Sequence, residues 1–243
     1  MEKIRLSKLM ATRGICSRRE ADDWIARALV RVDGEIMSTL GTRVNPDCMI
    51  SIEQEAERAQ QSLITVLLNK PIGFVSGQPE HGYRAAVTLI TRANHLRKDR
   101  TRFRSALDHQ LRMAPAGRLD IDSQGLLVLT QDGRVARRLI SPDSSIEKEY
   151  LVRVNGTVDN ARLALLRHGL ELDGRTLKPA KVEEIETGLL RMILVEGRKR
   201  QIRRMCDMVG LPVEGLKRVR IGQVRLAGLP RGQWRYLGAD ESF

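Results

Sequence analysis

The stretch from Gly117 to Thr130, GRLDIDSQGLLVLT, governs how the rest of the chain is interpreted. It places Asp120, with Arg118 two residues before it, in a glycine-bounded loop that runs directly into an apolar segment. That segment, residues 126–130, predicts a buried strand. Burying a carboxylate costs on the order of several kcal/mol unless it is paired or used in chemistry. Asp120 is therefore the first candidate for a functional residue, against the simpler interpretation of a solvated turn.

The composition favours a globular protein with a polyanionic partner. Of 243 residues, 42% are hydrophobic and 30% are charged, and 42 Lys and Arg exceed 30 Asp and Glu to give a net charge of +12. Such an excess attracts phosphates, but it does not by itself distinguish RNA from DNA or an acidic membrane. The apolar runs are too short to span a membrane, and the N-terminal segment lacks the apolar core of a signal peptide. We therefore expect no membrane association.

The cysteines and histidines suggest neither a disulfide framework nor a metal site. The chain has three cysteines (Cys16, Cys48 and Cys206) and four histidines, all far apart in sequence and without a CxxC pair. This pattern is typical of a protein in the reducing cytoplasm. We expect a cytoplasmic protein that binds no metal, and a monomer.

Residues 1–52 predict a small domain of their own. Ser17 and Glu20 have the spacing of a capping box, so a helix is expected to begin after Ser17. Asp33 and Gly34 separate two short alternating segments and predict a hairpin. Basic side chains surround the turn between the two predicted helices, where a helix N-terminus can receive a phosphate: Arg13, Arg18 and Arg19. They are candidate RNA contacts, against the alternative that they only solvate a helix start.

The rest of the chain predicts a linker and a larger domain. Residues 53–62 are polar and lack large apolar side chains, which is typical of an inter-domain linker. From residue 63 to residue 243, short strands and helices alternate without a regular βαβ pattern. We therefore predict an α+β fold, in which a small α/β domain precedes a domain with a mixed, largely antiparallel sheet flanked by helices and loops.

Three separated motifs resemble those of one enzyme family. The run around Asp120 resembles the catalytic motif of RNA pseudouridine synthases of the RsuA/RluF type (the group of RluB, RluE and RluF). The strand ending in Lys70-Pro71 resembles the family's first motif, and the run from Glu196 to Cys206, EGRKRQIRRMC, resembles its third. Residues 1–52 resemble the compact RNA-binding domain first described in a small-subunit ribosomal protein, except that Ala28 stands where that domain usually has glycine.

The resemblance implies a role for each matched residue. Asp120 would be the catalytic nucleophile or base, Tyr150 would stack under a flipped-out uracil, and Arg203 would pair with Asp120 and keep it ionised. Arg118 and Lys70 would help to bind the substrate or shape the site around it. Asp122 would bond backbone amides and hold the loop. The remaining basic side chains of the third motif would contact RNA: Arg198, Lys199, Arg200 and Arg204.

The family isomerises uridine to pseudouridine, a reaction that needs no metal, nucleotide or redox cofactor. We therefore expect an isomerase without a cofactor, acting on RNA. The residues of the motifs resemble most those of RluF-type members, which implies large-subunit ribosomal RNA as the target; tRNA and small-subunit ribosomal RNA stay open as alternatives.

Two other functions fit parts of the sequence. A non-catalytic RNA-binding or ribosome-assembly factor could be built on the same first domain. A glycosidase-like hydrolase could use Asp120 and Asp122 as a carboxylate pair, because residues two apart on an extended segment share a face. The high positive charge and the 3% of aromatic residues fit a sugar-binding cleft poorly.

A basic segment between Arg92 and Arg112 has seven Lys and Arg side chains, and the resemblance to the family implies that it is an insertion. It predicts either a solvated loop or a contact with the substrate backbone.

Overall fold

The computed structural model describes residues 2–80, 82–97 and 113–243. Most of the basic segment between Arg92 and Arg112 therefore lies outside the described residues. By its internal contacts the chain divides into two compact units. Unit 1 comprises Met1–Thr65 and Thr130–Arg138, and unit 2 comprises Val66–Leu129 and Leu139–Phe243.

Unit 1 consists of short helices around a small sheet. Its helices are α1 (Leu6–Thr12), α2 (Arg18–Ala26) and α3 (Gln54–Gln61). Its strands are β1 (Ile4–Arg5), β2 (Val30–Val32), β3 (Glu35–Met37), β4 (Arg43–Val44) and β5 (Ile50–Ile52). β2 pairs with β3 and β5, and β1 pairs with β4, all antiparallel. One hydrophobic cluster, with Leu6, Trp24 and Val30 among its buried members, joins these elements.

The capping and turn signals of unit 1 are confirmed. The Ser17 hydroxyl accepts a hydrogen bond from the Glu20 amide, and the Glu20 carboxylate accepts one from the Ser17 amide. Asp33 and Gly34 both have positive φ (52° and 89°), as a tight hairpin turn between β2 and β3 requires. Ala28 also has positive φ, 57°. The left-handed exit that glycine usually provides is thus made by alanine at a cost of roughly 1 kcal/mol.

The segment interpreted as a linker is largely helical. Helix α3 covers most of residues 53–62, and Ala56 is completely buried in the core of unit 1. Glu55 forms an ion pair with Arg27, the residue that follows α2, and Glu53 forms one with Arg31 of β2. The linker prediction relied on the lack of large apolar side chains, but one small residue, Ala56, is enough to pack this helix against the core.

Unit 2 is dominated by a nine-stranded sheet. The nine strands in chain order are β6 (Thr65–Lys70), β9 (Ala114–Pro115), β10 (Gln124–Thr130), β11 (Lys148–Val154), β14 (Lys181–Glu186), β15 (Leu189–Leu194), β16 (Val213–Ile221), β17 (Val224–Arg225) and β18 (Trp234–Tyr236). Two separate two-stranded sheets are formed by β7 (Phe74–Val75) with β8 (Arg84–Ala85) and by β12 (Glu171–Leu172) with β13 (Arg175–Thr176). After α3 come a 3₁₀ turn (Ala86–Leu89), α4 (Gly133–Ile140), α5 (Asn160–Arg167) and α6 (Gln201–Met208), and most of α4 belongs to unit 1.

The main path of the sheet runs β14-β15-β11-β16-β10-β6-β18. β11 pairs antiparallel with β15 and β16, β14 pairs antiparallel with β15, and β18 pairs antiparallel with β6. β10 and β16 run parallel. The predicted α+β class with a mixed, largely antiparallel sheet is confirmed.

The centre of this sheet contains two local irregularities. Gly125 of β10 lies opposite Arg218 of β16, with φ 107°, and a Cβ atom at position 125 would lie 2.3 Å from the Arg218 carbonyl oxygen. The register of β11 against β16 shifts between Glu149, which faces Arg220, and Tyr150, which faces Arg218. Val219 is therefore the extra residue of a β-bulge, a feature that re-aims neighbouring side chains.

Within the described residues, no helix combines the length and the apolar character needed to cross a bilayer.

Candidate active site

The loop that carries Asp120 is held by the turn after β6. The Ser76 hydroxyl donates to the Leu119 carbonyl oxygen at 2.6 Å and accepts from the Leu119 amide at 2.9 Å. The Gly73 amide donates to the Ile121 carbonyl oxygen at 2.8 Å. Backbone bonds on both sides thus fix residue 120, and its position does not depend on its own side chain.

The Asp120 side chain has no partner for its charge. The residue is half-buried, and its carboxylate makes no hydrogen bond or ion pair with any residue of 2–80, 82–97 and 113–243. The Ser123 amide donates to the Asp120 backbone oxygen at 3.1 Å, which closes a turn over residues 120–123. A partly desolvated carboxylate without a counter-ion in contact is suited to act as a nucleophile or base.

Asp122 is in the opposite situation. Its Oδ2 atom lies 3.0 Å from Arg200 Nη1 and 3.2 Å from Arg203 Nε, and its backbone oxygen accepts from Arg203 Nη2 at 2.9 Å. The predicted pairing of Arg203 with Asp120 is therefore wrong, and so is the expectation that the Asp122 carboxylate bonds backbone amides. The physical reason is the turn over residues 120–123, because the segment is not extended and the guanidinium groups of α6 reach only the second carboxylate.

Helix α6 is built to present these arginines. Arg200 precedes the helix with φ 52°, a left-handed conformation that is unusual for a side chain of this size. Arg203 is only 9% exposed, and its Nη1 atom donates to the Val213 carbonyl oxygen at 3.1 Å. Arg203 thus connects α6, the start of β16 and the Asp120 loop.

Lys70 is completely buried at the end of β6. Its Nζ atom donates to the carbonyl oxygens of Pro71 and Phe74, each at 2.9 Å. Desolvation lowers the pKa of Lys70 to about 8; Asp120 and Asp122 oppose this shift, and Arg218 adds to it. Lys70 therefore lies within electrostatic range of both carboxylates, but its buried position suits shaping the site better than touching a substrate.

Tyr150 and Arg218 face each other on β11 and β16. Tyr150 is 8% exposed, and the Arg218 guanidinium carbon lies 6.0 Å from the centre of its ring. Arg218 is 2% exposed; its Nε atom donates to the Leu126 carbonyl oxygen at 2.8 Å and its Nη1 atom to the Arg118 carbonyl oxygen at 3.2 Å. Arg218 thus joins the tyrosine to the loop that carries Asp120.

Sequence reasoning missed Arg218, because it is one of many basic residues between positions 198 and 235 and lies outside the three motifs. The signal that could have found it is the period of two along a strand. Leu216 and Arg218 share a face of β16, and both are buried.

The loop that carries Asp120 is thus bonded to Arg203 and Arg218, and Arg218 lies beside Tyr150. Comparisons with known proteins identify the family. A family model described as RNA pseudouridylate synthase matches residues 64–208, and one described as S4 domain matches residues 4–50. The chain belongs to the RNA pseudouridine synthase family. Both parts of the predicted resemblance, the RsuA/RluF type and the N-terminal RNA-binding domain, are confirmed.

Relatives of this family cover almost the whole chain. The dual-specificity RNA pseudouridine synthase RluF of Escherichia coli K12 is 35% identical over 240 residues, which are 98% of this chain and 77% of RluF. An uncharacterized RNA pseudouridine synthase of Mycobacterium leprae is 38% identical over 247 residues, 98% of this chain and 90% of its own. A crystal structure of a pseudouridylate synthase superposes with TM-score 0.66 at 28% identity and covers 97% of this chain and 96% of its own. The chain is therefore an isomerase that acts on RNA.

Within this synthase, some basic residues predicted to contact RNA have partners in their own chain. The Arg198 guanidinium donates to carbonyl oxygens of Leu172, Arg175 and Thr176. Arg204 forms two hydrogen bonds with the Asp173 carboxylate, at 3.0 and 2.7 Å. Both arginines hold the β12–β13 hairpin against α6, so neither is fully free for a phosphate.

Other predicted contacts are more accessible. Arg118, Arg18, Arg19 and Lys199 are exposed and have no side-chain partner in the described part of the chain. The exposed Arg13 donates to the carbonyl oxygens of Cys48 and Pro46 at 2.6 and 2.5 Å, which stabilises unit 1 itself. Among the synthase residues that the structure describes, no group of three or more His, Cys, Asp and Glu is placed to hold a metal ion.

Proposed function

We propose that this synthase converts one specific uridine of large-subunit ribosomal RNA to pseudouridine with Asp120 as its catalytic residue. The observation that supports this role is the contrast in the 120–123 turn, where Asp122 forms ion pairs with two arginines and Asp120 has no counter-ion in contact within the described residues. In the reaction the bond between ribose C1′ and N1 of uracil breaks and a bond between C1′ and C5 forms. C5 loses a proton and N1 gains one, so the product is an isomer.

The target uridine would leave its stack to reach Asp120, at a cost on the order of a few kcal/mol. Tyr150 is suited to receive the flipped base, because it is linked to the Asp120 loop through Arg218 and the Arg118 carbonyl oxygen. Stacking on an aromatic side chain contributes about 1–3 kcal/mol per base. Arg118, exposed two residues before Asp120, would contact the RNA strand that surrounds the flipped nucleotide.

The glycosidase-like alternative requires two available carboxylates, and Asp122 is engaged by Arg200 and Arg203. The choice of RNA rests on the resemblance to RluF-type members, and the name of RluF states a dual specificity. Ribosomal RNA and tRNA should both be assayed for this reason. The three cysteines are buried and free, which fits a cytoplasmic site of action.

The test is the variant Asp120→Asn. It should fold and bind RNA like the wild type, because the carboxylate has no partner to lose, while the carbodiimide-dependent stop of reverse transcription at the target uridine should disappear. The rate should fall at least about 10³-fold, the scale expected for loss of an activated nucleophile. Asp143→Asn, at an exposed position, is the matched control and should keep full activity. Full activity of Asp120→Asn would refute the assignment, and a wild type that modifies neither ribosomal RNA nor tRNA would refute the proposed substrates.

A further inference from the structure

The buried guanidinium of Arg218 is a charged group in the interior of unit 2. It is 2% exposed, and no carboxylate forms an ion pair with it within the described ranges. Its third nitrogen, Nη2, is buried and makes no hydrogen bond there. A buried cation without an anion, and a buried donor without an acceptor, each destabilise a protein, so stability does not explain why arginine occupies this position.

The position of Arg218 in the sheet offers an explanation. β16 lies between β10 and β11, and Arg218 is the residue that faces Gly125 on one side and Tyr150 on the other. The side chain at position 125 is absent, which lets the Arg218 backbone approach closely. The bulge at Val219 then turns Arg218 towards Tyr150 while Arg220 pairs with Glu149 at 2.6 Å.

From this position one planar group contacts three parts of the site. Nε holds the Leu126 carbonyl oxygen of β10, Nη1 holds the Arg118 carbonyl oxygen two residues before Asp120, and the plane lies near the Tyr150 ring. A fork of donors on a rigid plane can fix these distances together, whereas the single ammonium of lysine cannot.

We propose that Arg218 is a positioning residue, whose guanidinium sets the distance between the Asp120 loop and the Tyr150 ring and so aligns the flipped uracil with the carboxylate. This inference rests on the proposed function of Asp120 and Tyr150. Because a misplacement of about 1 Å can reduce a rate by about 100-fold, the guanidinium should affect the chemical step more than RNA binding.

The experiment compares Arg218→Lys, Arg218→Gln and Arg218→Ala with the wild-type chain in single-turnover and steady-state assays on a modified RNA. Arg218→Lys retains the charge but loses the fork, and its rate constant should fall about 100-fold while KM changes less than about threefold. Addition of guanidinium ion should raise the rate constant of Arg218→Ala at least about tenfold, and an equal concentration of urea should not.

The matched control is Arg220→Lys, two residues along the same strand, where the guanidinium bonds Glu147 and Glu149. It should lower the midpoint of thermal unfolding and leave the rate constant within about threefold. A rate constant of Arg218→Lys equal to that of the wild type would overturn the inference. If Arg218→Ala does not fold, the lysine and glutamine variants decide: full activity of lysine with loss in glutamine means that only charge matters, which also overturns it.

Asp120→Asn in the same series separates the two claims. If Asp120→Asn stays active, the proposed function fails whatever the Arg218 variants do. If it is inactive while Arg218→Lys is fully active, only the positioning role fails.

Discussion

The turn over residues 120–123 contains two aspartates, Asp120 and Asp122, which have the same side chain but different contacts. The Asp122 carboxylate forms ion pairs with Arg200 and Arg203, and its backbone oxygen accepts a further hydrogen bond from Arg203. Asp120 is held only by hydrogen bonds of the loop backbone, and its carboxylate is unpaired within the described chain. One carboxylate anchors the loop, so the other can remain reactive without loosening it.

The strongest way to break this contrast is to displace both carboxylates together through Gly125→Ala. The added Cβ would lie 2.3 Å from the Arg218 carbonyl oxygen, and φ at this position is 107°. Strand β10 must therefore shift away from β16, and we expect a loss of at least about 3 kcal/mol in the free energy of unfolding, with loss of activity. Denaturant unfolding measures the first quantity. Gly228→Ala is the control, since nothing lies within 4 Å of its added Cβ and its φ is not positive; equal stability of the two variants would contradict the close approach.

A second test measures how the free energy of unfolding depends on the protonation of Lys70, whose charge interacts with both carboxylates. Its pKa is lowered from 10.5 to about 8 in the folded state, so between these values the unfolded chain binds more protons than the folded one. Stability therefore rises with pH in that window, and the wild type should gain about 2 kcal/mol relative to Lys70→Met between pH 8 and pH 10. Chemical denaturation at both pH values measures the difference.

The same titration compares the two carboxylates. Both raise the pKa of Lys70 and so oppose the effect of desolvation, and the effect of Asp120 is larger than that of Asp122. In Asp120→Asn the rise in stability should begin at lower pH than in Asp122→Asn. A pH-independent difference between wild type and Lys70→Met would show that Lys70 is not desolvated.

The smallest expected effect is the loss of stability in Asp122→Asn. The ion pair with Arg200 is screened, because Asp122 is 40% and Arg200 42% exposed, but Arg203 is 11% exposed and would lose its carboxylate partner. We expect a loss of about 1.5 kcal/mol with a moderate loss of activity. Asp120→Asn should leave the free energy of unfolding unchanged within about 0.5 kcal/mol. Thermal unfolding of the two variants side by side tests this, and a larger loss for Asp120→Asn would reverse the assigned roles.

Local signals in the sequence were sufficient for many of the elements. The capping box at Ser17 and Glu20, the hairpin at Asp33 and Gly34 and the buried strand after Asp120 each depend on neighbours in the chain. Their outcome was predictable because the relevant contacts form within a few residues. Helix α3 was missed because its buried face contains only Ala56.

The pairing of charges depends on contacts between distant residues and was predicted less well. Arg203 was expected to pair with Asp120, but the turn at residues 120–123 rotates Asp122 towards α6 instead. Arg218 was not singled out, since its burial follows from the position of β16 between two other strands. Sequence motifs identified the family, while the contacts in the structure show which arginines pair with Asp122.

The bulge at Val219 restricts how this protein can change in length. A hairpin turn at the periphery can gain or lose a residue with little effect, but one residue added to or removed from the middle of β16 would exchange the faces of all side chains on one side of it. Arg218 and Arg220 would then no longer point to Tyr150 and Glu149 together. The nine residues of β16 are thus a fixed spacer, in which insertions and deletions should be tolerated far less than substitutions.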